Sequence, residues 1–221
     1  MKRLVVAVAL GFLALPALAP APRVHAASEA KAAPTAPTMS ATDLRNGMRK
    51  LCTDHTVYTH RYIVSALATM PDLPAVTQRL LRNQDDIGDA IKPIYGDAAG
   101  KKLSALLRDH ILIAADVVKA AKANDAKGVD AAQKKWKGNA DDMAAFLAGA
   151  NPNWKKQSLT DMLHRHLDFV TQQAVARIKM DWPADIQAYD AGYDHMMMFA
   201  DMLSDGIIKQ NPHKVIHISE R

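Results

Sequence analysis

Two blocks of this sequence repeat at a shift of 56 residues, and the repeated part ends in a histidine. The block Asn83-Gln84-Asp85-Asp86-Ile87 returns as Asn139-Ala140-Asp141-Asp142-Met143, and Leu103, Leu107 and His110 return as Leu159, Leu163 and His166. His55 follows an aspartate, as His110 does, and marks an earlier copy. A repeat of this length corresponds to one helical hairpin that stacks on its neighbours. The sequence therefore predicts three hairpins.

The spacing of apolar residues predicts helices throughout the core of the chain. Apolar side chains recur every three or four positions, as in Leu103, Leu107 and Ile111, and the strict alternation of a strand is absent. The predicted helices span 42–69, 75–94, 98–123, 126–148, 158–180 and 183–210. Pro93 is expected to fray the second helix, and Ser158 to cap the fifth. The fold class is all-α: an up-and-down bundle of about six helices arranged as three repeated antiparallel hairpins.

The two ends of the chain differ in composition from this core. Residues 1–26 combine a basic start, an apolar run and small residues before position 27, which is typical of a cleaved secretory signal. The apolar run from Leu4 to Ala19 is shorter than the roughly 20 residues of a membrane-spanning helix. Residues 27–40 are rich in Ala, Pro and Thr and are expected to form a flexible spacer. Residues 41–211 are predicted to form one helical-bundle domain, followed by a tail at 212–221.

Charge and cysteine content narrow the range of partners. The formal charge is +5, but residues 1–26 contain three of the 28 Lys and Arg and no Asp or Glu, so the rest of the chain carries +2. A nearly neutral chain does not predict binding to nucleic acid. Cys52 is the single cysteine, so no internal disulfide can form. We expect a secreted or periplasmic protein with no stable membrane insertion after signal cleavage, whose protein partners the sequence does not indicate.

Six polar residues are predicted to lie at one height in the bundle. Two residues of an antiparallel hairpin are level when the turn falls midway between them, and this condition holds for each consecutive pair of the set. The set comprises His55, Asn83, His110, Asn139, His166 and His195. Asp86 and Asp142 lie one turn beyond the asparagines and are expected to accept hydrogen bonds from buried imidazoles. The pattern predicts a polar layer inside the bundle.

This layer has three interpretations. It can be a hydrogen-bonded layer that only fixes helix register, or a set of boundary positions with little effect. It can also be a pocket in which His55, His110, His166 and His195 bind a transition metal ion, zinc or copper, while the asparagines and Asp86 and Asp142 contact a small ligand. In the last helix, His195, Met198 and Met202 share one face and suit Cu(I), although methionine at this spacing is usually a core residue.

Several enzyme classes are excluded by missing residues. Ferritin-like di-iron sites need glutamates from several helices, and this chain has only Glu29 and Glu220. No serine lies in a Gly-x-Ser-x-Gly turn, and no glycine-rich phosphate loop is present. The favoured function is therefore an exported, non-enzymatic bundle whose layer binds a metal ion or a small ligand. A purely structural or protein-interaction bundle and a histidine-dependent metalloenzyme are the alternatives.

Several motifs spread along the core resemble an uncharacterised family of exported bacterial α-helical proteins. They are Asp54-His55, Arg61-Tyr62-Ile63, Asn83-Gln84-x-Asp86-Ile87, Asn151-Pro152-Asn153-Trp154 and Ala200-Asp201-Met202-Leu203-x-Asp205-Gly206-Ile207. The resemblance covers nearly all of the predicted domain. It implies export and a helical fold, and it implies no activity.

Overall fold

A computed structural model describes residues 39–216, and within this range six helices form a ring. The elements are β1 (Met39–Ser40), α1 (Ala41–Leu67), α2 (Leu73–Tyr95), α3 (Asp97–Lys122), α4 (Ala126–Ala150), α5 (Lys156–Ile178), α6 (Trp182–Gln210) and β2 (Val215–Ile216). The all-α class is confirmed. The two-residue strands pair in parallel, so the end of the predicted spacer contacts the predicted tail. The predicted signal and the first part of the spacer lie outside the described residues.

Two details of the helix boundaries differ from the prediction. Pro93 does not fray α2, which continues to Tyr95, because only one backbone bond is lost and Gly96 N still donates to the carbonyl of Lys92 at 2.8 Å. The fifth helix begins at Lys156, so Ser158 lies inside its first turn and does not cap it. The side-chain caps that form are Ser40, Asp125 and Asp181, each accepting from a backbone N–H three residues ahead.

The helices follow one another around the ring, and α6 closes it against α1. Helices α1, α3 and α5 also contact one another through the interior, and we call them the inner helices. Helices α2, α4 and α6 lie between them and are the outer helices. Each hairpin therefore consists of one inner and one outer helix. His55, His110 and His166 lie on the inner helices.

The three turns that follow the inner helices have the same backbone structure. Thr69, Asn124 and Met180 adopt left-handed conformations with φ of 54°, 55° and 58°. The next residue in each turn donates its N–H to the carbonyl five positions earlier, at 2.9, 3.0 and 2.9 Å. This is the Schellman motif, which normally favours glycine at the left-handed position. The turns are 55 and 56 residues apart, close to the shift in the sequence, while the repetition of whole hairpins stays a prediction.

Ion pairs fix the closing contact between α1 and α6. Arg49 binds both carboxylate oxygens of Asp201, at 2.7 and 2.6 Å, and its guanidinium lowers the pKa of that carboxyl. Farther along the interface, the buried Asp185 accepts a bond from Arg177 at 3.0 Å and lies 3.2 Å from His60. Paired and hydrogen-bonded carboxylates of this kind hold α6 at a defined height beside α1.

Candidate functional site

All six residues of the predicted layer are buried, with no more than 8 % of any of them exposed. The ring of His166 lies between the other two inner histidines. Its centroid is 5.4 Å from that of His55 and 6.0 Å from that of His110. The structure thus brings the three inner histidines into one cluster in the middle of the bundle.

The three outer residues of the layer bind the backbone of the inner helices. Asn83 donates to the carbonyl of Leu51 at 3.1 Å, Asn139 to that of Leu106 at 3.0 Å, and His195 lies 2.8 Å from that of Met162. Each acceptor is four residues before the inner histidine of the same hairpin. A carbonyl oxygen has two lone pairs, so it accepts this bond in addition to its helical one. These bonds set the height of each outer helix against its inner neighbour.

Both ring nitrogens of His110 have protein partners. The indole of Trp136 donates to His110 Nε2 at 3.1 Å, so the ring proton is on Nδ1. Nδ1–H then donates to Asn139 Oδ1 at 2.8 Å. Every polar atom of this histidine is satisfied in the interior. His110 therefore has no lone pair left for a ligand.

His55 and His166 form a less complete pair. The Nε2 atoms of the two rings are 3.4 Å apart, long for a hydrogen bond between nitrogens. One hydrogen of Gln84 Nε2 bonds to the Leu80 carbonyl at 2.8 Å, and the other is shared between Asn83 Oδ1 at 3.2 Å and His55 Nδ1 at 3.3 Å. Because an amide nitrogen only donates, His55 Nδ1 is an acceptor in this arrangement and the His55 proton is on Nε2. That proton points to His166 Nε2, which must be the acceptor. Gln84 Oε1 is buried and has no hydrogen-bond partner within residues 39–216.

Burial keeps the three inner imidazoles neutral. Desolvation lowers the pKa of His55 to about 4 and that of His110 to about 3. The pKa of His166 lies well below the ordinary value of 6.5, again through desolvation and then through the neighbouring histidines. Neutral imidazoles at ordinary pH keep a lone pair on one nitrogen, which is the form that binds metals and accepts hydrogen bonds.

An interior cavity of about 80 Å³ adjoins the histidine cluster. Its walls are almost entirely apolar and include the inner histidines, Cys52, Trp154 and four methionines: Met48, Met143, Met162 and Met196. One water needs roughly 10–15 Å³ of such space, so the cavity is large enough for several small atoms. The indole of Trp154 packs directly against the backbone of α6 at Gly206. A Cβ at this position would lie 1.9 Å from the indole nitrogen, so the packing requires glycine.

Three parts of the predicted site do not lie in this cluster. Asp86 is half-exposed and 3.9 Å from Arg79, and Asp142 is exposed, because both point from the outer helices toward solvent. Met198 is 58 % exposed, so the predicted Cu(I) face of α6 does not form. Within residues 39–216, no group of three or more His, Cys, Asp or Glu side chains has the geometry to hold a metal ion. The four histidines are therefore not a ready four-ligand site.

Trp136 and Gln84 belong to the site and were not predicted as site residues. Trp136 lies three positions before Asn139, on the same helix face, and a buried indole N–H needs an acceptor. Gln84 is the one polar residue of its repeated block that is replaced by an apolar one, Ala140, in the later copy. The helical position of Trp136 and the unmatched polarity of Gln84 were therefore both visible in the sequence.

Comparison of the chain with protein-family models, with characterised proteins and with solved structures finds no match. None of the helices in the described part of the chain is long and apolar enough to cross a membrane. The resemblance to a family of exported helical proteins therefore stays a prediction, and the function has to be argued from the histidine cluster and its cavity.

Proposed function

We propose that this protein is an exported, non-enzymatic binding protein that holds a small ligand in the cavity beside His55 and His166. One observation carries the proposal: the contrast between His110 and this pair. Trp136 and Asn139 use both nitrogens of His110. The Nε2 atoms of His55 and His166, by contrast, have only each other as partners within the described range, at 3.4 Å.

The cavity supports binding because it offers space next to these nitrogens. Apolar walls favour the apolar part of a ligand, and a few polar groups fix its orientation, as in most small-molecule sites. The His55–His166 pair supplies those groups at one end of the cavity. A ligand that accepts from, donates to or coordinates Nε2 replaces a long, weak hydrogen bond with a better one.

The protonation states favour binding over catalysis. A general acid or base works best when its pKa is near the operating pH, and the pKa of His55 is about 4. Burial raises the pKa of the Cys52 thiol to about 12, which keeps it from acting as a nucleophile. Within residues 39–216, no carboxylate lines the cavity.

Register and binding are compatible roles in the same layer. The bonds from Asn83, Asn139 and His195 to inner-helix carbonyls set helix height without using His55 Nε2 or His166 Nε2. Polar groups that are fully satisfied specify how the helices meet, and the incomplete pair is then free for a ligand.

Xenon binding tests whether the cavity accepts a guest. We expect xenon under pressure to shift the methyl resonances of the four cavity methionines in protein labelled with [methyl-¹³C]methionine, and to leave that of the exposed Met198 unchanged. Leu107→Phe fills the cavity from α3 and should abolish the shifts. Leu112→Phe, on the exposed side of the same helix, is the matched control and should not. Unshifted cavity methyls at xenon saturation would contradict the proposal.

Export is tested separately by N-terminal sequencing of material from the native compartment. We expect the chain to begin at Ala27. A chain that still begins at Met1 would contradict the cleaved signal without affecting the cavity.

A further inference from the structure

We infer that the ligand of this site is a soft monovalent metal ion, Cu(I), bound by the Nε2 atoms of His55 and His166 and by the sulfur of Met196. The inference rests on the proposed function, because it uses the same histidine pair and the same cavity. It replaces the predicted set of four histidines by two histidines and a thioether.

The separation of the two imidazoles suits a shared ion. Metal–nitrogen bonds to histidine are about 2.0–2.1 Å long. If one ion bonds to two nitrogens that are 3.4 Å apart, the nitrogen–metal–nitrogen angle is therefore about 110°. Ligands of a trigonal or tetrahedral ion are separated by about this angle. The rings need to turn their lone pairs toward a common point, and they need not move apart.

A methionine sulfur is the available third ligand. All four cavity methionines are candidates by position, but their heights along the bundle differ. Met196 is one residue from His195 of the layer. Met143 and Met162 are four residues from the layer residues of their own helices, about 6 Å along the axis at 1.5 Å per residue, and Met48 is seven residues from His55, about 10 Å. Met196 is therefore best placed, and its flexible side chain allows its sulfur to approach the histidine pair.

The donor set favours Cu(I) over zinc. Both kinds of donor are neutral, and the soft thioether suits Cu(I), while imidazole binds copper and zinc alike. Structural Zn²⁺ sites are usually completed by thiolate, carboxylate or further imidazoles. Here the pKa of Cys52 is raised to about 12, which keeps the thiol protonated, and the cavity wall in residues 39–216 has no carboxylate. A divalent ion would remain uncompensated in an apolar interior, and a monovalent ion carries half that charge.

The orphaned oxygen of Gln84 is a second, independent observation. Gln84 is fully buried, and its Oε1 lacks a partner among the described residues although its Nε2 is next to His55 Nδ1. An ion on His55 Nε2 requires the ring proton on Nδ1, where it needs an acceptor. Rotation of the Gln84 amide presents Oε1 to that proton, and Nε2 then gives up its bonds to the Leu80 carbonyl and to Asn83 Oδ1. Metal-bound histidines usually donate their second N–H in this way. In the second hairpin, Asn139 Oδ1 accepts a bond of the same kind from His110 Nδ1–H.

Titration of the purified full-length protein with Cu(I) tests the inference, under anaerobic reducing conditions and in competition with a chromophoric Cu(I) chelator. We expect one Cu(I) per chain. His55→Leu should weaken binding at least about 100-fold, and Met196→Leu and Gln84→Met about 10-fold each, the range seen when a supporting residue is removed. Met48→Leu, in the same cavity, and Met198→Leu, on the surface, are matched controls and should stay within about twofold of the wild type.

The outcomes separate the ion from the site. Cu(I) binding that survives both His55→Leu and Met196→Leu overturns the inference, as does tighter binding of Zn²⁺ than of Cu(I). If Cu(I) does not bind but the xenon shifts are intact, the assignment of the ligand as Cu(I) is wrong and the proposed binding cavity stands. If Cu(I) does not bind and the xenon shifts are absent, both the ligand assignment and the proposed function are wrong. Retained xenon shifts in each variant show that it is folded. Gln84→Met needs a second measurement, because Gln84 acts through His55 and does not touch the ion. Ag(I) replaces Cu(I) for this purpose, and imidazole ¹⁵N spectra of the Ag(I)-loaded variant must show less of the His55 Nδ1–H tautomer than those of the Ag(I)-loaded wild type.

Discussion

The second hairpin, α3–α4, and the other two hairpins place different residues at corresponding positions. In the second hairpin the layer is chemically complete, because Asn139 and Trp136 satisfy His110 and Asn124 occupies the left-handed turn. The first and third hairpins leave the His55–His166 bond long and place Thr69 and Met180 in that turn. The hydrogen bonds of the inner histidine are therefore complete in the second hairpin. The first and third hairpins meet at the His55–His166 pair, whose hydrogen bonds are incomplete.

Removal of the inner histidine should have a much larger effect in the second hairpin than in the first. His110→Leu leaves the buried Trp136 N–H and Asn139 Oδ1 without partners, and each orphaned group costs roughly 1–3 kcal/mol. We expect the free energy of unfolding to fall by about 3 kcal/mol. His55→Leu should cost about 1 kcal/mol or less, because the bond that it removes from His166 Nε2 is long, at 3.4 Å, and Gln84 Nε2 keeps the Leu80 carbonyl at 2.8 Å. Urea denaturation of both variants measures the difference.

If His110→Leu and His55→Leu lower the free energy of unfolding by the same amount, the proposed difference between the second hairpin and the first is wrong. His164→Gln is a suitable control, because His164 lies at the surface and bonds only to Asp141 among the described residues. It should change the free energy of unfolding by less than about 0.5 kcal/mol.

Acidification should destabilise the protein through the same histidines. Their pKa values are lower in the folded protein, about 4 for His55 and about 3 for His110, than the 6.5 of an unfolded chain. The unfolded state therefore binds protons first, and stability is full above pH 6.5 and lost as the pH falls toward 4. Each histidine contributes up to about 1.4 kcal/mol per pH unit. Urea denaturation at pH 7, 6 and 5 should show this loss, and His55→Leu should reduce its slope by about one proton.

A pH slope that His55→Leu leaves unchanged would show that other groups cause the acid sensitivity. Leu112→Phe, an exposed substitution that changes no titratable group, serves as the control and should keep the wild-type slope.

The turn positions should show the smallest effect. A non-glycine residue in the left-handed region costs about 1–2 kcal/mol, and asparagine is better tolerated there than methionine. Met180→Gly should therefore raise the free energy of unfolding by about 1 kcal/mol. Asn124→Gly should change it by only a few tenths of a kcal/mol. Thermal unfolding compares the two, and a larger gain for Asn124→Gly would reverse the ranking of the hairpins.

The helices and the height of the layer could be predicted from the sequence because both depend on local spacing. Apolar periodicity marks the helices, and the turn midpoints bring His55, His110 and His166 together. The first turn of α5 was misplaced because Ser158 suits a cap, while the chain leaves extended backbone earlier, at Lys155. Local preference decides such boundaries only to within a few residues.

The chemistry of each histidine could not be predicted because it depends on side-chain direction and on partners from other elements. Asp86 was expected to serve the layer, but it is two residues beyond the fully buried Gln84, on the opposite face of α2, and lies 3.9 Å from Arg79. Trp136 decides the tautomer of His110 and comes from the neighbouring helix. The cavity exists only once all six described helices are packed together.

Imidazole ¹⁵N–¹H NMR tests the central claim most directly, that His110 is structural while His55 and His166 form an open pair. At pH 7 we expect three neutral rings, with the proton on Nδ1 in His110 and His166 and on Nε2 in His55. Addition of Ag(I) should shift Nε2 of His55 and His166 and leave both nitrogens of His110 unchanged. A His110 ring that titrates near pH 6.5, or one whose nitrogens shift with Ag(I) as those of the pair do, would contradict the account.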